Sequence, residues 1–185
     1  MIADIIKDAE HRMDGAIAHA REEFGAIRTG RAHPAMFNKI LVDYYGSPTP
    51  LQQLATFQVP EARTVLISPF DRGAMAGIEK AIRDSDLGVN PANDGNVIRL
   101  VLPQLTEERR KEYIKLARHK AEEARVAVRN TRRHAIDAAN KLVKDKEIGE
   151  DDARAAEKQL DQLTKKHVDV VDELLKAKEA ELMEV

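Results

Sequence analysis

The chain contains no cysteine and no tryptophan, and aromatic residues make up only 4% of it. Without cysteine, neither a disulfide framework nor a thiolate metal site can form, so a reducing compartment, the cytoplasm, is the expected location. Few aromatics beside 34% charged residues argue against a compact β fold and for long solvated helices. Long apolar runs are missing as well. The N-terminal Met1-Ile2-Ala3-Asp4-Ile5-Ile6-Lys7-Asp8 carries acids where a secretory signal needs bases, and no later stretch approaches a membrane span. A soluble protein with no membrane partner is expected. The phosphate-cradling glycine patterns GxxxxGK(S/T) and GxGxxG do not occur, and neither does the zinc pattern HExxH. The six histidines show no ligand spacing, and Ser47, Ser68 and Ser85 sit in no nucleophile-elbow context. These absences predict a protein that is not an enzyme and needs neither metal nor cofactor.

What is present is strong periodicity. With 185 residues the chain can bury a real core in one domain or two small ones. Ile2, Ile5, Ala9, Met13, Ala16, Ala20, Phe24 and Ile27 fall at steps of three and four, one apolar stripe on a helix that Gly30 and Pro34 are expected to end. All seven prolines lie between residues 34 and 103, among β-branched and aromatic runs such as Ile40–Tyr45, Thr64–Ile67 and Val97–Leu102. Asp71 reads as the N-cap of a short helix through Ile78, Ala81 and Ile82. From Thr106, an N-cap followed by Glu107 and Glu108, a helical pattern of roughly 60 Å runs without glycine or proline to Gly149. Beyond it, Ala153, Ala156, Leu160, Leu163, His167, Val170, Leu174 and Ala177 keep a heptad spacing, with His167 expected at the edge of the core rather than as a ligand.

None of these three helices can bury its stripe alone. The predicted architecture is therefore α+β: a three-helix bundle from residues 1–30 and 105–185, discontinuous in sequence, with a small β/α/β domain inserted at 31–104. The chain crosses between the domains near 28–32 and 102–106. Gly30, Ala32, Pro103 and Gln104 are the candidate hinge residues, Gly30 because it suits a backbone conformation that other residues reach only with strain.

Charge is uneven although the net value is −2. Ten Lys/Arg face five Asp/Glu between Thr106 and His134, whereas from Asp145 onward there are seven against thirteen. Lys111, Arg118, Arg125, Arg129 and Arg132 share one sector of the second long helix, with Arg133 at its margin. Guanidinium groups suit bidentate phosphate contacts and stacking on bases. The competing reading is a solvated face paired with the acidic third helix. The window 125–133 carries four arginines and no acid, so the sequence predicts an exposed, unpaired Arg132. A structural adaptor that pairs its heptad helix with another chain is the second function class, distinguished by an exposed apolar seam.

Four segments carry a family resemblance: Ile27-Arg28-Thr29-Gly30-Arg31-Ala32-His33-Pro34, Tyr44-Tyr45-Gly46-Ser47-Pro48-Thr49-Pro50-Leu51, Leu105-Thr106-Glu107-Glu108-Arg109-Arg110-Lys111 and Val128-Arg129-Asn130-Thr131-Arg132-Arg133. With them the chain resembles, over essentially its whole length, the bacterial ribosome recycling factors. The resemblance implies an L-like, transfer-RNA-like shape and binding of a monomer to the intersubunit face of the post-termination ribosome through large-subunit ribosomal RNA. It also implies subunit separation together with elongation factor G, whose GTP supplies the drive, so that this chain needs no cofactor of its own. Carried over by motif, the RNA-binding residues are Arg28, Arg31, Arg110, Arg129, Arg132 and Arg133, to which the stripe adds Arg125. His33, His134 and Ile136 depart from the residues expected in many members and leave the arginines intact.

Overall fold

The structure, a computed structural model, describes residues 1–184. Its elements run α1 (Ile2–Gly25), β1 (Leu41–Tyr44), β2 (Ser47–Pro50), β3 (Ala55–Glu61), β4 (Thr64–Pro69), α2 (Met75–Arg83), β5 (Ala92–Asn93), β6 (Ile98–Val101), α3 (Glu107–Lys144) and α4 (Glu150–Met183). They form two compact units. Unit 1 comprises residues 1–24 and 115–179; unit 2 comprises residues 25–114 and the chain from 180. The boundaries fall inside α3 and α4, so the first two turns of α3 are grouped with the strands.

Unit 1 is the helical bundle. α1 buries Ala9, Met13, Ile17, Ala20 and Phe24. α3 buries Ala117, Ala121, Ala124, Val128, Ala135 and Ala139, five of them alanines, which supply little apolar area but let helix backbones approach closely. Ala9, Ala135 and Leu160 bring all three helices together. Thr106 caps α3 as its sequence predicts, accepting the Arg109 N–H at 3.1 Å.

Two expectations about α3 and α4 need correction. The buried positions of α4 are Ala153, Ala156, Leu160, His167, Val171, Lys178 and Leu182, while Ala177 is exposed. Past His167 the seam follows the α-helical period of about 3.6 rather than the heptad's 3.5, and it slips by one residue. The break between α3 and α4 is made by Lys146 and not by Gly149. Lys146 takes a left-handed φ of 59°, and Lys146 and Glu147 donate back to the carbonyls of Val143 and Leu142 at 3.0 and 2.9 Å, a Schellman cap on a non-glycine residue.

α1 stops at Gly25, two residues short of the apolar stripe's last member. An added Cβ at Gly25 would meet the Ala35 side chain at 3.2 Å, so the glycine admits the close return of the chain. Gly30, the expected terminator, lies beyond the helix. Its φ is not positive, and among the described residues a Cβ there would meet only the Glu184 carbonyl at 3.7 Å, an ordinary contact, so the expected backbone strain at Gly30 is absent.

Unit 2 holds a two-stranded hairpin, β1–β2, and a four-stranded antiparallel sheet in the order β3-β4-β6-β5. β2, β3 and β5 extend the runs legible in the sequence. β2 accommodates Pro48 and Pro50 because it pairs on one side only. The β1–β2 turn has positive φ at both Tyr45 (49°) and Gly46 (81°), the type I′ geometry that matches strand twist. Alternate residues Val65 and Ile67 of β4 and Ile98 and Leu100 of β6 face the core with Phe37, Val42, Leu51, Ile78 and Ile82. Asp71 acts as the predicted cap, accepting from the Gly73 N–H at 2.8 Å; it caps a 3-10 turn that leads into α2.

Candidate nucleic-acid interface

The arginines of α3 divide into held and displayed groups, and α4 does the dividing. Arg118, Arg125 and Arg132 recur every seven residues, which keeps them on one flank of the helix. α4 presents carboxylates along that flank. Arg118 Nε donates to Glu179 at 2.8 Å. Arg125 Nε and Nη2 both engage Asp172 Oδ1, at 2.8 and 2.7 Å, and its Nη1 reaches Glu122 at 3.1 Å. Arg132 Nε donates to Asp161 at 2.5 Å, with Glu157 3.9 Å from its Nη2. The expectation of an unpaired Arg132 is therefore overturned, because its acid comes from a different helix and no same-helix spacing can reveal it.

Exposure does not simply follow pairing, since Arg118 is 65% exposed despite its bond to Glu179. The Arg125 side chain is 19% exposed, Arg132 34% and Arg129 54%. Burial alone would lower the Arg125 pKa, but hydrogen bonds to Asp172 and Glu122 outweigh it and hold the guanidinium above its ordinary value. Arg125 is a clamp between helices. Arg129 has only a 3.8 Å approach to Glu122, and exposed Arg133 donates to Asn130 one turn back. Lys111 pairs with Glu107 on its own helix at 3.5 Å.

A second group of candidates lies in unit 2. Gly30, Arg31, Gln104 and Arg110 line one cleft of about 540 Å³, together with Arg63 and Glu184. The Arg31 side chain is 78% exposed and 4.0 Å from Glu184. Arg110 is half-buried, and its buried Nε has no hydrogen-bond partner among the described residues. Arg63 was not a sequence candidate; its only local signal is a basic residue in the Glu61–Thr64 turn between two strands.

Arg28 is placed differently. It is 6% exposed, its guanidinium donates to the Pro103 carbonyl, and burial lowers its pKa. A side chain so enclosed braces the fold and offers no edge to a phosphate in this conformation. The two segments predicted as crossings, 28–32 and 102–106, both lie inside unit 2 and share an anchor: Ala32 N–H donates to the Ala62 carbonyl and Leu102 N–H to that of Arg63, each at 2.7 Å. Of the candidate hinge residues, Ala32 and Pro103 are thus hydrogen-bonded within unit 2, while Gly30 and Gln104 line the cleft.

Solved structures place this fold among translation factors. One described as the solution structure of the ribosome recycling factor matches with a TM-score of 0.78 and 44% identity, covering 100% of this chain and 98% of the other. A second, described as models for the T. thermophilus ribosome recycling factor and the E. coli elongation factor G bound to the E. coli post-termination complex, matches with a TM-score of 0.70 and 38% identity over 100% of both chains. The family model for ribosome recycling factor matches residues 20–183. The ribosome-recycling factors of Cutibacterium acnes and Kineococcus radiotolerans are each 68% identical to this chain, with 100% of both chains covered. The chain belongs to the ribosome recycling factor family.

Proposed function

We propose that this chain binds the post-termination ribosome at its intersubunit face through large-subunit ribosomal RNA. With elongation factor G and GTP, it then promotes separation into subunits and release of messenger and transfer RNA. The observation that carries the RNA contact is the outward row on α3, where Arg129 has a carboxylate no nearer than 3.8 Å, exposed Arg133 is bonded only to the neutral Asn130 among the described residues, and Arg132 is hydrogen-bonded through Nε alone. Arg31 and Arg110 add a second patch around the cleft of unit 2. The solved relative bound with elongation factor G to a post-termination complex supports the choice of partner and ribosomal state. The chain works as a cytoplasmic monomer without a cofactor of its own, GTP being consumed by the translocase. The adaptor alternative loses its footing because Ala153, Ala156, Leu160 and Val171 of α4 are buried within the chain. Among the described residues no helix is long and apolar enough to cross a membrane.

Sedimentation tests the proposal directly. Purified chain mixed with post-termination ribosomes, elongation factor G and GTP should convert the ribosome peak into subunit peaks. Ribosomes that remain intact under these conditions, with a folded chain and an active translocase, would refute it.

A further inference from the structure

The ladder between α3 and α4 breaks at one rung, and the break singles out Arg132. Arg118 faces Glu179 and Arg125 faces Asp172, so a step of seven along α3 matches a step of seven back along α4. The next rung would set Arg132 against residue 165, which is a lysine. Two cations cannot pair. Lys165 turns to Asp169 at 2.8 Å, which raises its pKa, and Arg132 reaches to Asp161 instead.

The result differs in kind from the rung before it. Arg125 has three of its nitrogens engaged by two carboxylates. Arg132 has only Nε hydrogen-bonded, and among the described residues neither Nη1 nor Nη2 makes a hydrogen bond. The terminal nitrogens are the pair that forks onto a phosphate or a base edge. We propose that Asp161 is a positioning residue for ribosomal RNA contact: it fixes the Arg132 guanidinium by its Nε edge and leaves the terminal nitrogens without a hydrogen bond, Nη2 facing Glu157 across 3.9 Å. An arginine held in one orientation has already lost rotamer freedom that it would otherwise lose on binding. The proposal rests on the reading of Arg132 as an RNA contact.

Positioning must be separated from charge, because any acid beside a phosphate site also repels the ligand. Asp161→Asn and Asp161→Ala remove the same charge, but only asparagine keeps an oxygen that can accept from Nε. Affinity for vacant 70S ribosomes would be measured for both variants, alone and combined with Arg132→Ala, with melting temperatures to confirm folding. Asp161→Ala should bind about two- to tenfold more weakly than Asp161→Asn, the range set by immobilising one long side chain. In the Arg132→Ala background that difference should vanish. Equal affinities for the two variants, with Arg132→Ala itself weakened, would overturn the positioning role and leave the RNA contact standing. If Arg132→Ala binds as well as the unsubstituted chain, the contact itself fails and the positioning role with it.

Discussion

At the scale of single residues, an acid's neighbours decide what its charge does, and for Asp71 the decisive neighbours are remote in sequence. Asp71 was legible as a helix cap, since a short polar side chain before a helix has one dominant use. Nothing in the sequence joins it to the hairpin tip 26 and 27 residues earlier, where Tyr44 and Tyr45 donate to its Oδ2 at 2.6 and 3.3 Å. These bonds anchor a turn whose Tyr45 sits at positive φ, costly for a bulky residue. The Tyr44 bond and the Gly73 N–H hold the Asp71 carboxyl below its usual range, and the same bond to Asp71 pushes the Tyr44 phenol up to about 12. The signs are opposite. The raised phenol contributes stability that is complete below pH 10.0 and is lost as pH rises through about 12. The lowered carboxyl contributes stability above 3.8 that is lost as pH falls through its folded value. Asp71→Asn should return Tyr44 toward 10.0, read as phenolate absorbance in a chain with three tyrosines and no tryptophan. An unchanged titration would show that this hydrogen bond is not what raises the phenol.

At the scale of elements, long amphipathic helices announced themselves because each repeats its signal over many turns. Of the α1 stripe read from sequence, Ala9, Met13, Ala20 and Phe24 are buried. Less was legible where an element is short or where its boundary depends on a distant contact. β5 has two residues and no pattern to read, and β2 carries two prolines that argue against a strand until its single-sided pairing is known. α1 ends where Ala35 needs room, which no local rule supplies. His167 was placed at the core edge by spacing; its role as a tie between helices was not. Its Nδ1 lies 2.7 Å from the Leu163 carbonyl and its Nε2 2.7 Å from Asp14 of α1. Asp14→Ala would leave a buried ring nitrogen without its partner, at a cost of about 1–3 kcal/mol. Asp8→Ala on the same helix removes only an exposed pair with Arg12 and should cost within about 0.5 kcal/mol. Urea unfolding of the two variants checks the difference, and equal midpoints would mean the Asp14 contact contributes nothing to the bundle.

At the scale of the whole molecule, a net charge of −2 and the proposed RNA contact are reconciled by how charge is partitioned. The sequence shows a basic segment followed by an acidic one. The fold lays one beside the other, so Arg118, Arg125 and Arg132 each spend part of their charge on α4, while Arg129 and Arg133 keep theirs for solvent or a ligand. Counting arginines therefore overstates the phosphates this chain can neutralise. Each neutralised phosphate releases condensed counterions, so log affinity for ribosomes should fall with log salt by roughly 0.7 to 0.9 per contact. Arg129→Ala should weaken binding and make that slope shallower by about one contact. Arg125→Ala should leave the slope unchanged and instead lower stability by about 1–2 kcal/mol, because it breaks charge-assisted bonds to Asp172 and Glu122 at a partly buried site. Lys158→Ala, an exposed cation on α4, alters net charge equally and should change neither. Ribosome affinity measured at several salt concentrations, alongside urea unfolding, resolves the three cases. A common shift in slope for Arg129→Ala, Arg125→Ala and Lys158→Ala would show that diffuse charge governs binding and that the division into held and displayed arginines has no functional meaning.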